Sequence, residues 1–228
     1  MRSLTLSAGS SCLREDDSRR MGKLKFWVCV CALAFCLSAS VLCGKTIVFL
    51  GDSLTAGYGV RPEQSYPALI AEKIRAANLP YEVVNAGVSG DTSADGLRRI
   101  DWLLQRKVDV LVIALGANDG LRGLPPSSLK ANLEAIIEKG KAKNPQMQIV
   151  IAGMQMPPNL GADYTMKFQE VFAEVAQKNK AVLIPFLLES VGGHRDLNQS
   201  DSIHPTAAGQ KVVAETIWRG LEAILRRG

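Results

Sequence analysis

With 228 residues, 47% of them apolar and 21% charged, the chain has material for an ample hydrophobic core and is not composed like a disordered one. The formal net charge of +5 overstates its basic character: residues 1–44 hold six Lys/Arg against three Asp/Glu, leaving 21 basic against 19 acidic residues from Lys45 onward. No basic run is interleaved with aromatics, so no nucleic-acid partner is expected; all five cysteines (Cys12, Cys29, Cys31, Cys36, Cys43) precede Lys45, which excludes disulfides, thiolate chemistry and Cys-ligated metals from the remainder, and with only His194 and His204 in the chain a multi-histidine metal site is hard to build.

Residues 1–20 are polar, mixed in charge and without periodicity; they read as a disordered or non-native extension ahead of a true start at Met21. Met21 is followed by Lys23 and Lys25, an apolar run over 26–37 and the small residues Ser38-Ala39-Ser40, which is the charged start, apolar middle and small-residue end of a secretory signal. Extended to Cys43, the run approaches the length of a spanning helix, so 21–44 is expected to be either a signal peptide or an N-terminal anchor through 26–43. The folded part is then 45–228, periplasmic or secreted on the first reading and anchored to the inner membrane on the second.

From Lys45, short apolar stretches alternate with longer amphipathic ones, the pattern of βαβ units on a parallel sheet. Strands are expected at 46–50, 81–85, 108–115, 148–152 and 181–185, and their near-continuous apolar character implies cover on both faces. Helices are expected at 67–77, 93–105, 128–143, 164–179 and 206–226. Leu129, Leu133, Ile136 and Ile137 mark one face of the third, and Tyr164, Phe168, Val171, Phe172 and Val175 one face of the fourth, both at the 3.6-residue period. The sum is a three-layer α/β/α domain around a flavodoxin-like five-stranded parallel sheet of order 2-1-3-4-5.

Such sheets bind ligands at the carboxyl ends of their strands, and four polar stretches fall there. The first strand runs into Gly51-Asp52-Ser53-Leu54, the second into Ser89-Gly90-Asp91-Thr92 and the third into Gly116-Ala117-Asn118-Asp119-Gly120, while Asp201-Ser202-Ile203-His204-Pro205 leads into the last helix. Each alone is an ordinary turn or cap. Thr55 stands where the Gly-x-Ser-x-Gly elbow of α/β-hydrolases has its second glycine, so that motif is absent. Together, the four stretches contain the parts of a serine nucleophile site. Asp201 and His204 are spaced so that the carboxylate meets one imidazole nitrogen and leaves the other to act as base. The N–H groups of Ser53 and Gly90 and the Asn118 carboxamide are donors for an oxyanion. His194, between glycines and a charged turn, reads as a surface histidine.

In this order the four blocks resemble those of the SGNH (GDSL) hydrolase family, over a span from about Lys45 to the end of the chain. The stretches Gly90-Asp91-Thr92-Ser93 and Asn118-Asp119-Gly120-Leu121-Arg122-Gly123 point to its arylesterase branch, which includes multifunctional thioesterase I/lysophospholipase L1. The resemblance implies a carboxylic ester hydrolase with Ser53 as nucleophile, His204 as base, Asp201 as its orienter, and Ser53, Gly90 and Asn118 as oxyanion donors. It implies no metal and no cofactor. Its substrates would be small acyl esters or thioesters, including aryl esters and lysophospholipids, with membrane contact only through an uncleaved leader or a lipid substrate. Ser202 departs from the pattern, which has glycine between the aspartate and Ile203. A carbohydrate deacetylase of the same fold and a non-catalytic small-molecule binding module stay open as rivals. Leu121, Leu124, Met154, Met156 and Leu160, in the loops 121–126 and 154–163, either line an acyl pocket or pack those loops onto the domain.

Overall fold

A computed structural model describes residues 44–227; the expected tail, leader and anchor lie outside them. Along the described chain the elements are β1 (Lys45–Gly51), α1 (Ser53–Ala56), α2 (Tyr66–Ala76), β2 (Tyr81–Gly87), α3 (Ser93–Leu103), β3 (Val110–Ala114), α4 (Ala117–Leu121), α5 (Pro126–Lys143), β4 (Gln148–Ala152), α6 (Ala162–Asn179), β5 (Val182–Ile184) and α7 (Ala207–Arg227). Every neighbouring pair of strands is parallel and the order is β2-β1-β3-β4-β5, as expected. The helices form two groups, α2 packed on α7 and α3, α5 and α6 packed in sequence, which make the outer layers of the three-layer α/β/α arrangement.

Burial follows position in the sheet. All five residues of β3 are buried, as are Ile47 through Leu50 of β1, because these central strands carry helices on both faces. β2 corrects the expectation of cover on both faces: of its seven residues only Ala86 is buried, since it is an edge strand with Glu82 and Asn85 turned to solvent. The aromatic stripe of α6 lies in the core, with the Phe168 and Phe172 rings edge-on at 5.5 Å. α4 has no counterpart among the expected helices, because five residues that include Asn, Asp and Gly show no apolar period.

Two features aim the strand ends at one rim. Gly51 is sterically required: a Cβ there would lie 2.0 Å from Thr55 Oγ1 and 3.0 Å from the Ala114 carbonyl oxygen, so only glycine lets β1 turn directly into α1. Gln210 of α7 accepts the Tyr66 N–H at 2.9 Å, which ties the start of α2 to the last helix and brings the segment before α7 to the carboxyl end of β1.

Candidate active site

Ser53 is the first residue of a one-turn helix. Asp52 caps that helix, its Oδ1 accepting the Leu54 N–H at 3.0 Å, and Gly57, in the left-handed region at φ 79°, ends it with its N–H on the Ser53 carbonyl at 3.1 Å. The Ser53 hydroxyl therefore projects from a rigid strand-to-helix corner and is half-buried. Asp52 itself is fully buried, and its Oδ2 has no hydrogen-bond partner among the described residues. Burial raises its carboxyl to about 7, with Asp91 and Asp119 adding to the rise and the Leu54 N–H opposing it.

The segment ahead of α7 brings the imidazole to that hydroxyl. His204 Nε2 lies 2.9 Å from Ser53 Oγ across 151 positions of sequence, and His204 Nδ1 lies 2.6 Å from Asp201 Oδ2. Asp201 is exposed, yet its other oxygen accepts two backbone N–H groups, from Ile203 at 2.9 Å and His204 at 3.0 Å. The backbone and ring N–H of His204, then the Ile203 N–H, hold the carboxyl down at about 2, so it stays ionised at any working pH. Ser202, at φ 60°, occupies the left-handed region that favours glycine; the three Asp201 bonds form without it.

The two remaining predicted donors border this corner. Val88 N–H donates to the Gly51 carbonyl at 3.0 Å and Asp91 N–H to Val88 at 3.1 Å, closing a turn with Gly90 at φ 89°. A Cβ on Gly90 would meet nothing within 4 Å, so conformation and not space requires glycine here. Among the described residues the N–H groups of Ser53 and Gly90 make no hydrogen bond. Asn118 Nδ2 donates one hydrogen to the Asp91 carbonyl at 2.9 Å, which lays the carboxamide against the same turn and leaves its second N–H.

Sequence reasoning missed the residues that hold these pieces together. Arg99 donates to Asp91 Oδ2 at 2.6 Å and to the Gly51 carbonyl at 3.0 Å, and Arg122 donates to the Gly90 carbonyl at 2.9 Å. Buried Asp119 accepts both the N–H and the hydroxyl of Ser93, at 2.8 and 2.5 Å, and so joins the Asn118 helix to the start of α3. Tyr58 lies with its ring centroid 4.6 Å from that of His204. Arg122 stands inside a stretch already singled out, but the contacts of Arg99 with Gly51 and of Tyr58 with His204 join residues far apart in sequence and have no local signature. His194 is an exposed turn residue whose carbonyl accepts the Asn198 side chain, consistent with its reading as a surface histidine. Of the five loop residues expected to line a pocket or pack, Met154 is core, Met156 covers Gly120, Leu160 is half-buried, and Leu121 and Leu124 remain exposed.

The model of the GDSL-like Lipase/Acylhydrolase family matches residues 49–212 of the chain. The chain is 39% identical over 194 residues to Esterase TesA of Pseudomonas aeruginosa, a match that covers 85% of this chain and 96% of that protein. It is 34% identical over 181 residues to thioesterase 1/protease 1/lysophospholipase L1 of Escherichia coli, covering 79% of this chain and 85% of that protein. A crystal structure of TesA superposes with a TM-score of 0.76 at 40% identity, covering 79% of this chain and 99% of that one.

Proposed function

Because the chain belongs to the GDSL-like lipase/acylhydrolase family and is a hydrolase of carboxylic esters, we propose that it works through an acyl-enzyme on Ser53, outside the cytoplasm, on aryl esters, lysophospholipids and acyl thioesters. The observation that carries this reading is the unbroken line from Asp201 Oδ2 through both nitrogens of His204 to Ser53 Oγ, at 2.6 and 2.9 Å. An ionised, fixed carboxylate holds Nδ1 protonated, so Nε2 is the atom left free to accept the serine proton.

Ser53 Oγ attacks the acyl carbon as His204 Nε2 takes its proton. The carbonyl oxygen becomes an oxyanion held by the N–H groups of Ser53 and Gly90 and by Asn118 Nδ2. His204, now an imidazolium facing Asp201, gives the proton to the leaving oxygen or sulfur, whose bond to the acyl carbon breaks. Water, deprotonated by the same imidazole, then attacks the acyl carbon; the bond to Ser53 Oγ breaks, the imidazolium returns the proton to Oγ, and the acid leaves. The imidazole must be neutral to accept a proton, so kcat/KM falls on acidification while Asp201 remains charged.

The exposed Leu121 and Leu124, with Met156 packed over Gly120, offer apolar cover for a short or medium acyl chain. Export rests on the charged, apolar and small-residue pattern of 21–44; among the described residues no helix is long and apolar enough to cross a membrane. A fluorophosphonate probe tests the central step: one equivalent is expected on Ser53 and none on Ser53→Ala, whose kcat drops by roughly 10^4–10^6-fold. Wild-type turnover in Ser53→Ala would overturn the reading. Comparing acyl esters with acetylated sugars, under the same assay, sets it against a carbohydrate deacetylase.

A further inference from the structure

The acyl-enzyme mechanism fixes which part of the substrate lies nearest His204. The proton that Nε2 takes from Ser53 is delivered to the leaving atom, so the leaving group must come within hydrogen-bond reach of Nε2, itself 2.9 Å from Ser53 Oγ. A side chain that packs on the imidazole and keeps an exposed surface is therefore within reach of the leaving group, whatever the acyl chain does.

Tyr58 is in that position. Its ring centroid lies 4.6 Å from the imidazole centroid with the planes tilted by 43°, and 53% of the residue is exposed, so the ring rests on the base and still presents surface to solvent. The placement is built from both sides. The Tyr58 N–H donates to the Ser53 carbonyl at 3.0 Å, which fixes the residue to the nucleophile's helix. Its carbonyl accepts Gln199 Nε2 at 2.7 Å; the same Nε2 donates to the Pro205 carbonyl at 3.1 Å, and the Gln199 backbone N–H donates to the His204 carbonyl at 2.7 Å. One glutamine thus fastens the Tyr58 segment to the loop that carries the base. Gly59, at φ 75°, passes so closely that a Cβ would lie 2.2 Å from Gln199 Oε1. A solvent-exposed aromatic ring whose own backbone is fixed at both its N–H and its carbonyl is a preorganised surface, and its open edge and face suit another planar ring.

We propose that Tyr58 forms the leaving-group subsite of this enzyme and selects planar aromatic leaving groups by packing against them beside His204. The proposal rests on the acyl-enzyme reading above and names the residue that gives it leaving-group preference. In acylation the bond from Ser53 Oγ to the acyl carbon forms and the bond from that carbon to the aryloxy oxygen breaks. The electron pair leaves with the oxygen, the serine proton reaches it through His204, and a phenol departs past Tyr58. In deacylation water takes the place of the aryl group, so Tyr58 has no substrate ring to hold and contributes nothing to that step.

The two half-reactions supply the test. Tyr58→Ala and Tyr58→Phe are assayed on phenyl butyrate and ethyl butyrate, which share one acyl group, and deacylation is read from the steady phase after a p-nitrophenyl butyrate burst. Tyr58→Ala is expected to lower kcat/KM for the phenyl ester by about three- to tenfold and for the ethyl ester by less than about twofold, with the deacylation constant unmoved. Tyr58→Phe is expected to restore the phenyl-to-ethyl ratio. Equal losses on both esters, or deacylation slowed in parallel, would show that Tyr58 only steadies His204 and would overturn the proposal. Absence of any burst and of covalent label at Ser53 in the wild-type enzyme would instead overturn the acyl-enzyme reading beneath it.

Discussion

Two regions meet at the Ser53 hydroxyl, each contributing a carboxyl group, and they treat it in opposite ways. At the closed end of β1, Asp52 is buried with one hydrogen-bond donor and one oxygen without a partner, and its carboxyl is pushed up to about 7. In the open loop before α7, Asp201 lies in solvent with three donors on its two oxygens and is held at about 2. Nearness to the nucleophile in sequence would favour Asp52 as the helper of catalysis. The environments reverse that choice, because only a carboxylate that keeps its charge can stabilise an imidazolium. Asp52 is the structural acid of the pair, a cap for α1; in the proposed mechanism Asp201 is the electrostatic one.

Breaking the charged member has the larger effect. Asp201→Asn removes the charge and one of the acceptors that fix the imidazole, and kcat is expected to fall by roughly 10^2–10^4-fold with little change in KM; a loss confined to KM would contradict the assignment. Next comes the buried member, read through stability. A carboxyl whose folded pKa stands above its unfolded one binds an extra proton in the folded state, so stability falls as pH rises from the ordinary value of 3.8 toward about 7 and then levels. Asp52→Asn keeps the cap acceptor and abolishes this titration, so the gain in melting temperature over wild type is expected to be larger at pH 8 than at pH 5. For Asp201 the sign is opposite: its contribution is present above pH 3.8 and is lost as pH falls through about 2. The smallest effect sharpens the loop side. Ser202 holds φ 60° without using its side chain on Asp201, so Ser202→Gly is expected to stabilise the protein by about 1 kcal/mol in urea unfolding while leaving the Asp201 bonds intact. Destabilisation would mean that the serine makes up for its backbone strain elsewhere.

The sheet was legible because its central strands are continuous apolar runs and its long helices carry clear stripes such as Leu129, Leu133, Ile136 and Ile137. β2 was misjudged because Val83 and Val84 look like core residues, whereas an edge position leaves them half-buried. The Asp201 and His204 contact lies within one turn of chain, so its spacing is visible in the sequence, but alone it reads as a helix cap and becomes telling only beside the other three blocks. The contacts that set the site's precision were illegible for the converse reason. Gln199 reaches Tyr58 across 141 positions, Arg99 reaches Gly51 across 48, and no local pattern encodes either meeting. Nor does the string Gly51-Asp52-Ser53 announce that its aspartate will be sealed from water, because the same letters form exposed turns elsewhere.

The separation of 151 positions between Ser53 and His204 also orders events in time. The ribosome delivers the Ser53 hydroxyl early and the His204 imidazole late, so for most of synthesis Ser53 lacks the base that the proposed mechanism assigns to it. In the proposed mechanism Ser53 meets its base only once α7 is packed on α2 with the preceding loop in place, so an ester hydrolase built in this way has no assembled site until its last element has folded.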